Sequence, residues 1–264
     1  IGMSQGGQSL STVEGLDAAS KRGLMTASVS ENPTALIFEH AQTQTRIEVG
    51  NEKCGAKTKG YAGTTVTLMM MLSELAIIKG ILKEEKFKLY KERMFNVIHN
   101  MPLVVDAATK WYGRIKDEFL PAKRIIVVGY DGNYADVLEG ALKLKEVSYV
   151  HADAYIAGEL KHGPIALIEQ GSLVIAVATQ PNIAAKTISN IQETIARGAN
   201  VILFTIDGQE VGNVKETYIL PDVDPILQSV LVAVPLQLIA YYAAGLKGCD
   251  VDKPRNLAKS VTVE

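Results

Sequence analysis

The sequence repeats itself. Ile1-Gly2-Met3 reads as the end of a buried strand and Ser4-Gln5-Gly6-Gly7-Gln8-Ser9 as a loop. A helix follows to about Lys21, stopped by Arg22-Gly23, and Met25 to Ser30 reads as the next strand, closed by Asn32-Pro33. The same order returns later: Val174 to Thr179 as a strand, Gln180-Pro181-Asn182 as a turn, Ala184 to Ala196 as a helix, Arg197-Gly198 as its stop, and Val201 to Thr205 as a strand. Gln5 and Gln180 stand 175 residues apart, and so do Arg22-Gly23 and Arg197-Gly198. Equal offsets imply a duplicated strand-helix-strand module. Strands alternating with helices need a parallel sheet covered on both faces, so the expected fold class is α/β with two doubly wound domains.

The expected boundaries are 1–100 and 101–264, joined by a charged, mostly helical region from Lys83 to Phe119. The second copy is preceded by a strand, Arg124 to Gly129, and a helix, whereas the first has nothing before Ile1. The first domain is therefore expected to lack its N-terminal portion. Ser11-Thr12-Val13-Glu14 has capping-box spacing and is expected to start the first helix. A strand feeding a Gly- and Ser-rich loop that opens a helix outlines an anion site, although an ordinary turn uses the same residues.

With 47% hydrophobic and 21% charged residues, the 264-residue chain can bury a sizeable core. A net charge of −2 and the absence of Lys/Arg runs argue against nucleic acid as a partner. Cys54 and Cys249 form no CxxC pair, and the first residues are Gly- and Ser-rich rather than basic then apolar; a reducing cytoplasm is expected. Two stretches are apolar enough to suggest membrane spans. Ile226 to Leu246 is interrupted by Gln228, Ser229, Pro235 and Gln237, and Thr64 to Ile78 carries Met69, Met70 and Met71. Both are expected as covered helices of a protein without a membrane partner, with the methionines in the core.

Chemistry concentrates between Leu138 and Ile168. Glu139, Lys143 and Glu146 fall near one helix face, and His162 precedes Gly163-Pro164, which places its imidazole at a turn. A carboxylate beside an ammonium, with a histidine nearby, can move protons on a small substrate; a solvated helix face with a stray histidine has the same spacing. Glu159 and His162 form a single E-x-x-H pair, too little for a metal site.

Three segments carry a resemblance: Glu139-Gly140-Ala141-Leu142-Lys143-Leu144-Lys145-Glu146, Gly158-Glu159-Leu160-Lys161-His162-Gly163-Pro164, and the tail Asp252 to Glu264. They resemble the isomerase half of the glucosamine-6-phosphate synthases, which is built from two sugar isomerase (SIS) domains. The resemblance implies Glu146 as the proton-shuttling carboxylate, His162 as the ring-opening histidine, Lys143 as a residue supporting the sugar and Lys259 as the tail lysine that meets the open-chain carbonyl. Beside it, Ala258 would contact the substrate. It implies a phosphate loop containing Ser4, Gln5 and Ser9, a second loop with Lys57 and Thr58, a sugar-phosphate substrate, no cofactor or metal, and a homodimer that exchanges the histidine.

Departures matter for the substrate. The family's phosphate loop reads Ser-Gln-Ser-Gly-Glu-Thr, and here it is Ser4-Gln5-Gly6-Gly7-Gln8-Ser9. The second loop, usually Val-Ala-Ser-Thr-Lys, is Gly55-Ala56-Lys57-Thr58-Lys59, so Lys57 can supply a cation where a hydroxyl is lost. Nothing in the sequence resembles the glutaminase cysteine nucleophile. The expectation is an isomerase-type enzyme acting on a 6-phosphorylated amino sugar or sugar-amine conjugate. A phosphosugar-sensing module is the alternative, against which the chain shows no helix-turn-helix segment.

Overall fold

The computed structural model describes residues 1–257; Ala258 and Lys259 lie outside the described residues. Backbone contacts divide the chain into two units, Ile1–Phe87 joined by the tail from Asp252, and Lys88–Val251. The division falls at Phe87 rather than at residue 100. Arg93 explains part of this, since it bonds to Asp224 within the second unit (3.2 Å). The described tail groups with the first unit, where Leu257 lies beside Gly55.

In the first unit, β1 (Gly2–Met3), β2 (Ala27–Ser30) and β3 (Thr43–Arg46) form a parallel sheet in that order. Helix α1 (Leu10–Lys21) crosses between β1 and β2, α2 (Leu36–Glu39) follows β2, and α3 (Lys59–Ile78) closes the unit. Val13 and Leu16 of α1 pack with Ala35, Ile37 and Phe38 as the core. Ser9, not Ser11, occupies the N-cap position of α1, so the capping box read from Ser11 and Glu14 is not the helix start.

In the second unit, α4 (Glu84–His99, begun in the first) and α5 (Met101–Phe119) lead into β4 (Arg124–Gly129) and α6 (Gly132–Lys143). There follow β5 (His151–Ile156), β6 (Leu173–Ala178), α7 (Ala184–Ile195), β7 (Asn200–Ile206), β8 (Glu216–Leu220) and α8 (Pro225–Leu246). The five strands are parallel in the order β5-β4-β6-β7-β8. The runs Ile-Ile-Val-Val, Leu-Val-Ile-Ala-Val-Ala and Val-Ile-Leu-Phe are buried throughout, as central strands with helices on both faces require. Trp111 anchors α5 against the sheet: its ring meets Phe204 and Tyr218 edge-on at 5.3 and 5.0 Å, and its indole N–H donates to Glu216 and Thr217.

The duplication extends to individual hydrogen bonds. At the end of α1, the N–H groups of Arg22, Gly23 and Leu24 donate to Ala19, Ser20 and Ala19; at the end of α7, Arg197, Gly198 and Ala199 donate to Thr194, Ile195 and Thr194. Each pair is again 175 residues apart. Gly23 and Gly198 both sit at positive φ (74° and 90°), where glycine carries no Cβ penalty.

Helix α8 is largely apolar and buried over most of its middle, packed by α5 and α6, as expected for a covered helix, with Ile226, Tyr241 and Leu246 exposed toward its ends. The corresponding α3 differs. By length and composition both could cross a membrane, but of α3 only Gly60 is fully buried, and Leu72, Leu75 and Ile78 are exposed. Met69, Met70 and Met71 are half-buried, so the expectation that they belong to the core is corrected. The reason is local: among the described residues of the first unit, no helices occupy against α3 the places that α5 and α6 take against α8.

Candidate functional site

Each unit contributes its own cluster. In the second, α6 does not end at Lys143 but loosens into a π-turn over Leu144–Ser148, held by a 2.7 Å bond from the Ser148 hydroxyl to the Leu144 carbonyl and ended by Tyr149 at φ +57°. Such single π-turns cluster at functional positions. Glu146 sits in this turn, and its carboxylate accepts from the Lys143 ammonium at 2.6 Å. On the preceding turn, Glu139 approaches the same ammonium at 3.7 Å. Lys143 is buried, a costly place for a cation unless carboxylates flank it. Gln237 of α8 donates to Glu139 (3.2 Å), fixing the far end of the chain of charges. Burial, reinforced by the charge of Glu146, pushes the Glu139 carboxyl above its ordinary range, although Lys143 and Gln237 pull the other way. The sequence pattern thus brought Lys143 and Glu146 together. His162 lies apart, exposed at the end of a short 3₁₀ turn, Glu159–His162, and is not part of that chain of charges.

Deeper along α6, Asn133 donates to Asp136 (3.0 Å) and to the Thr179 hydroxyl (2.8 Å), and accepts from the Thr179 N–H (2.9 Å). This bridge ties the end of β6 to the start of α6, the switch point where doubly wound sheets commonly take ligands. Asp136 is 1% exposed, with one carboxyl oxygen lacking any partner. Burial pushes its carboxyl up to about 6, against hydrogen bonds from Asn133 and Ser229.

In the first unit, the loop after β1 turns at Gly7 (φ +73°), where a Cβ would lie 2.1 Å from that of Ala35. Any side chain there is excluded. The loop borders a cleft of about 550 Å³ at the carboxyl ends of the strands, lined by Gln5, Gly6, Gln8, Glu31, Asn32, Arg46, Glu52 and Lys57, among others. Of the residues named from the sequence, Gln5 and Lys57 reach this cleft. Ser4, Ser9 and Thr58 are not among its lining. The Ser4 hydroxyl accepts from the Gly7 N–H (3.1 Å), Ser9 pairs with Ser11 (3.1 Å), and the Thr58 hydroxyl donates to Glu52 (3.2 Å).

Glu52, which the sequence reading missed, organises the second loop. It accepts from the N–H groups of Thr58 (3.1 Å) and Gly60 (2.9 Å) and from the Gln5 amide (3.1 Å). Burial pushes its carboxyl up, but these bonds outweigh it and hold the group below the ordinary carboxylate range. An acid placed before a helix start to receive its orphan N–H groups was the available signal. In the second copy the counterpart of Gln5, Gln180, reaches the start of α8 instead, donating to the Pro225 carbonyl (3.1 Å). Asn32 was also missed; its amide donates to the Gly6 carbonyl (3.2 Å) and ties the loop to the end of β2.

Comparison with known proteins fits this geometry. The SIS domain family matches residues 118–247, the stretch holding Lys143, Glu146 and His162. Glutamine–fructose-6-phosphate aminotransferase (isomerizing) of Clostridium tetani is 40% identical over 268 residues, covering all of this chain and 44% of that protein. The enzyme of the same name from Geobacillus kaustophilus is 39% identical. The chain thus spans less than half the length of these curated relatives. Among solved structures, the C-terminal domain of glucosamine-fructose-6-phosphate aminotransferase from Francisella tularensis superposes with a TM-score of 0.86 at 31% identity, over 96% of this chain and 71% of that one. Glucosamine-6-phosphate deaminase from Thermotoga maritima shares the fold, with a TM-score of 0.78 at 22% identity over 98% of this chain and 74% of its own. With its parallel sheets, its matched SIS segment and this likeness across nearly its whole length, the chain belongs to the SIS-domain phosphosugar isomerase family, of the type found in the isomerase half of glutamine–fructose-6-phosphate aminotransferases.

Proposed function

We propose that the chain interconverts aldose and ketose forms of a 6-phosphorylated amino sugar or sugar-amine conjugate, coupled to amination, deamination or deglycation. The observation that carries this reading is the buried Lys143 held between Glu139 and Glu146. Isomerisation moves one proton between neighbouring carbons through an enediol or enolamine. A single carboxylate can take it from one carbon and return it to the other, provided it is aimed. Glu146 is that group, and the 2.6 Å contact with Lys143 aims it and offsets its charge. His162 opens the sugar ring, and its exposed turn suits a residue handed to a second subunit in a homodimer. Lys259 meets the open-chain carbonyl, and a phosphate gripped away from the reacting carbons orients them. A reducing cytoplasm suits a sequence whose two cysteines form no CxxC pair.

The test is a substrate panel: fructose 6-phosphate with ammonia, glucosamine 6-phosphate, and a glycated amine 6-phosphate. Consumption of one, abolished by Glu146→Gln, is the expected result. Tight binding of all three without turnover would replace the enzyme by a sensor.

A further inference from the structure

We propose that Arg46 works with Lys57 as a cationic clamp on the substrate's phosphate, replacing the hydroxyl cradle that the loop lacks and selecting a doubly charged phosphomonoester. The inference rests on the reading that the first unit binds a sugar phosphate. Arg46 ends β3 and lines the cleft with Lys57, Gln5, Gly6 and Gln8. The hydroxyls of Ser4 and Thr58 are engaged within the loops, and Ser9 lies outside the lining. The wall also holds two carboxylates, and both are turned to backbone. Glu31 accepts from Val49 and Gly50 (2.9 and 3.0 Å), and Glu52 from Thr58 and Gly60. Two cations therefore balance two anions around the cleft. Removing either cation leaves a net negative wall against an incoming dianion.

Arg46 is available for this role. Its nearest carboxylate, Glu48, is 3.7 Å away, and both side chains are about half exposed or more, a pairing that contributes little. A guanidinium presents two parallel donors to a phosphoryl group, and Lys57 adds a point charge.

The probe is inorganic phosphate, titrated calorimetrically into the whole chain and into Arg46→Gln, Lys57→Gln and Arg46→Lys, with sulfate for comparison. Arg46→Gln should weaken phosphate binding by about 10- to 100-fold, with Arg46→Lys between it and the parent and the circular dichroism unchanged. Phosphate should bind more weakly as acidification converts it from dianion to monoanion, while sulfate binding stays level. With an active substrate, KM should rise by the same factor at nearly constant kcat. Unchanged phosphate affinity in Arg46→Gln, or a fall in kcat at constant KM, overturns the clamp. Loss of phosphate binding in Arg46→Gln, in a protein that turns over none of the sugar phosphates, leaves the clamp standing and removes the enzymatic reading instead.

Discussion

Replacing Asp136 by Asn should stabilise the second unit at neutral pH and abolish part of its pH dependence. Asp136 is 1% exposed, and its second carboxyl oxygen has no partner, so ionisation places an uncompensated charge between α6 and α8. Its carboxyl, ordinarily at 3.8, is pushed up to about 6. The sign follows from proton counting. Between those values the folded protein keeps a proton that the unfolded chain has released, so stability falls as pH rises through the window and is level above it. At about 1.4 kcal/mol per tenfold, the gap amounts to about 3 kcal/mol at pH 7. Asn matches the shape of the protonated acid and can still accept from Asn133. The advantage of Asp136→Asn should grow from a few tenths of a kcal/mol near pH 4 to about 3 kcal/mol above pH 7, or roughly 6–12 °C in Tm. Urea unfolding read by Trp111 fluorescence is the assay, because the chain's single tryptophan lies in this unit. An advantage that is the same at pH 4.5 and pH 7.5, or an Asn variant less stable at pH 7.5, would refute the reasoning.

Glu146→Gln should lower turnover by at least about 100-fold while phosphosugar affinity changes little, as single-turnover kinetics with a binding isotherm will show. Lys143→Met should cost about 3–5 kcal/mol in denaturant unfolding by stranding Glu139 beside Glu146, and adding Glu139→Gln should recover part of it. Gly7→Ala should abolish phosphate binding in calorimetry, since both the positive φ and the contact with Ala35 exclude a Cβ. Lys259→Met should impair catalysis with an unchanged melting temperature; a lowered melting temperature would make the tail structural.

The strands whose bounds were read most closely share one property, burial on both sides. β4 falls on the expected residues and β6 within one of them, because continuous apolar runs bounded by polar turns have few other uses. β3, β5 and β8 went unread. Each is an edge strand, and sequences such as Thr-Gln-Thr-Arg and His-Ala-Asp-Ala-Tyr-Ile carry no such run. At the site, the pairing of Lys143 with Glu146 followed from helical spacing, but the π-turn that seats Glu146 did not, since the spacing of charges says nothing of where a helix loosens. Glu52 belongs to no periodic element. Its importance comes from the N–H groups that converge on it, of which an acid ahead of a helix start was the one sign in the sequence. The hydroxyls of Ser4, Ser9 and Thr58 show the converse: residue types suited to a ligand serve equally well to fold their own loop.

Gln5 and Gln180 occupy the same place in the two copies, and each fastens its loop to the beginning of a long apolar helix, Gln5 by way of the Glu52 carboxylate and Gln180 directly. Evolution has thereby run an unplanned control experiment. Where the second copy's loop carries Pro181, the glutamine persists all the same, as a mechanical strut. Damage from altering Gln5 should accordingly be read first as a slackened hinge between turn and helix, and only the surplus over the effect of altering Gln180 belongs to recognition.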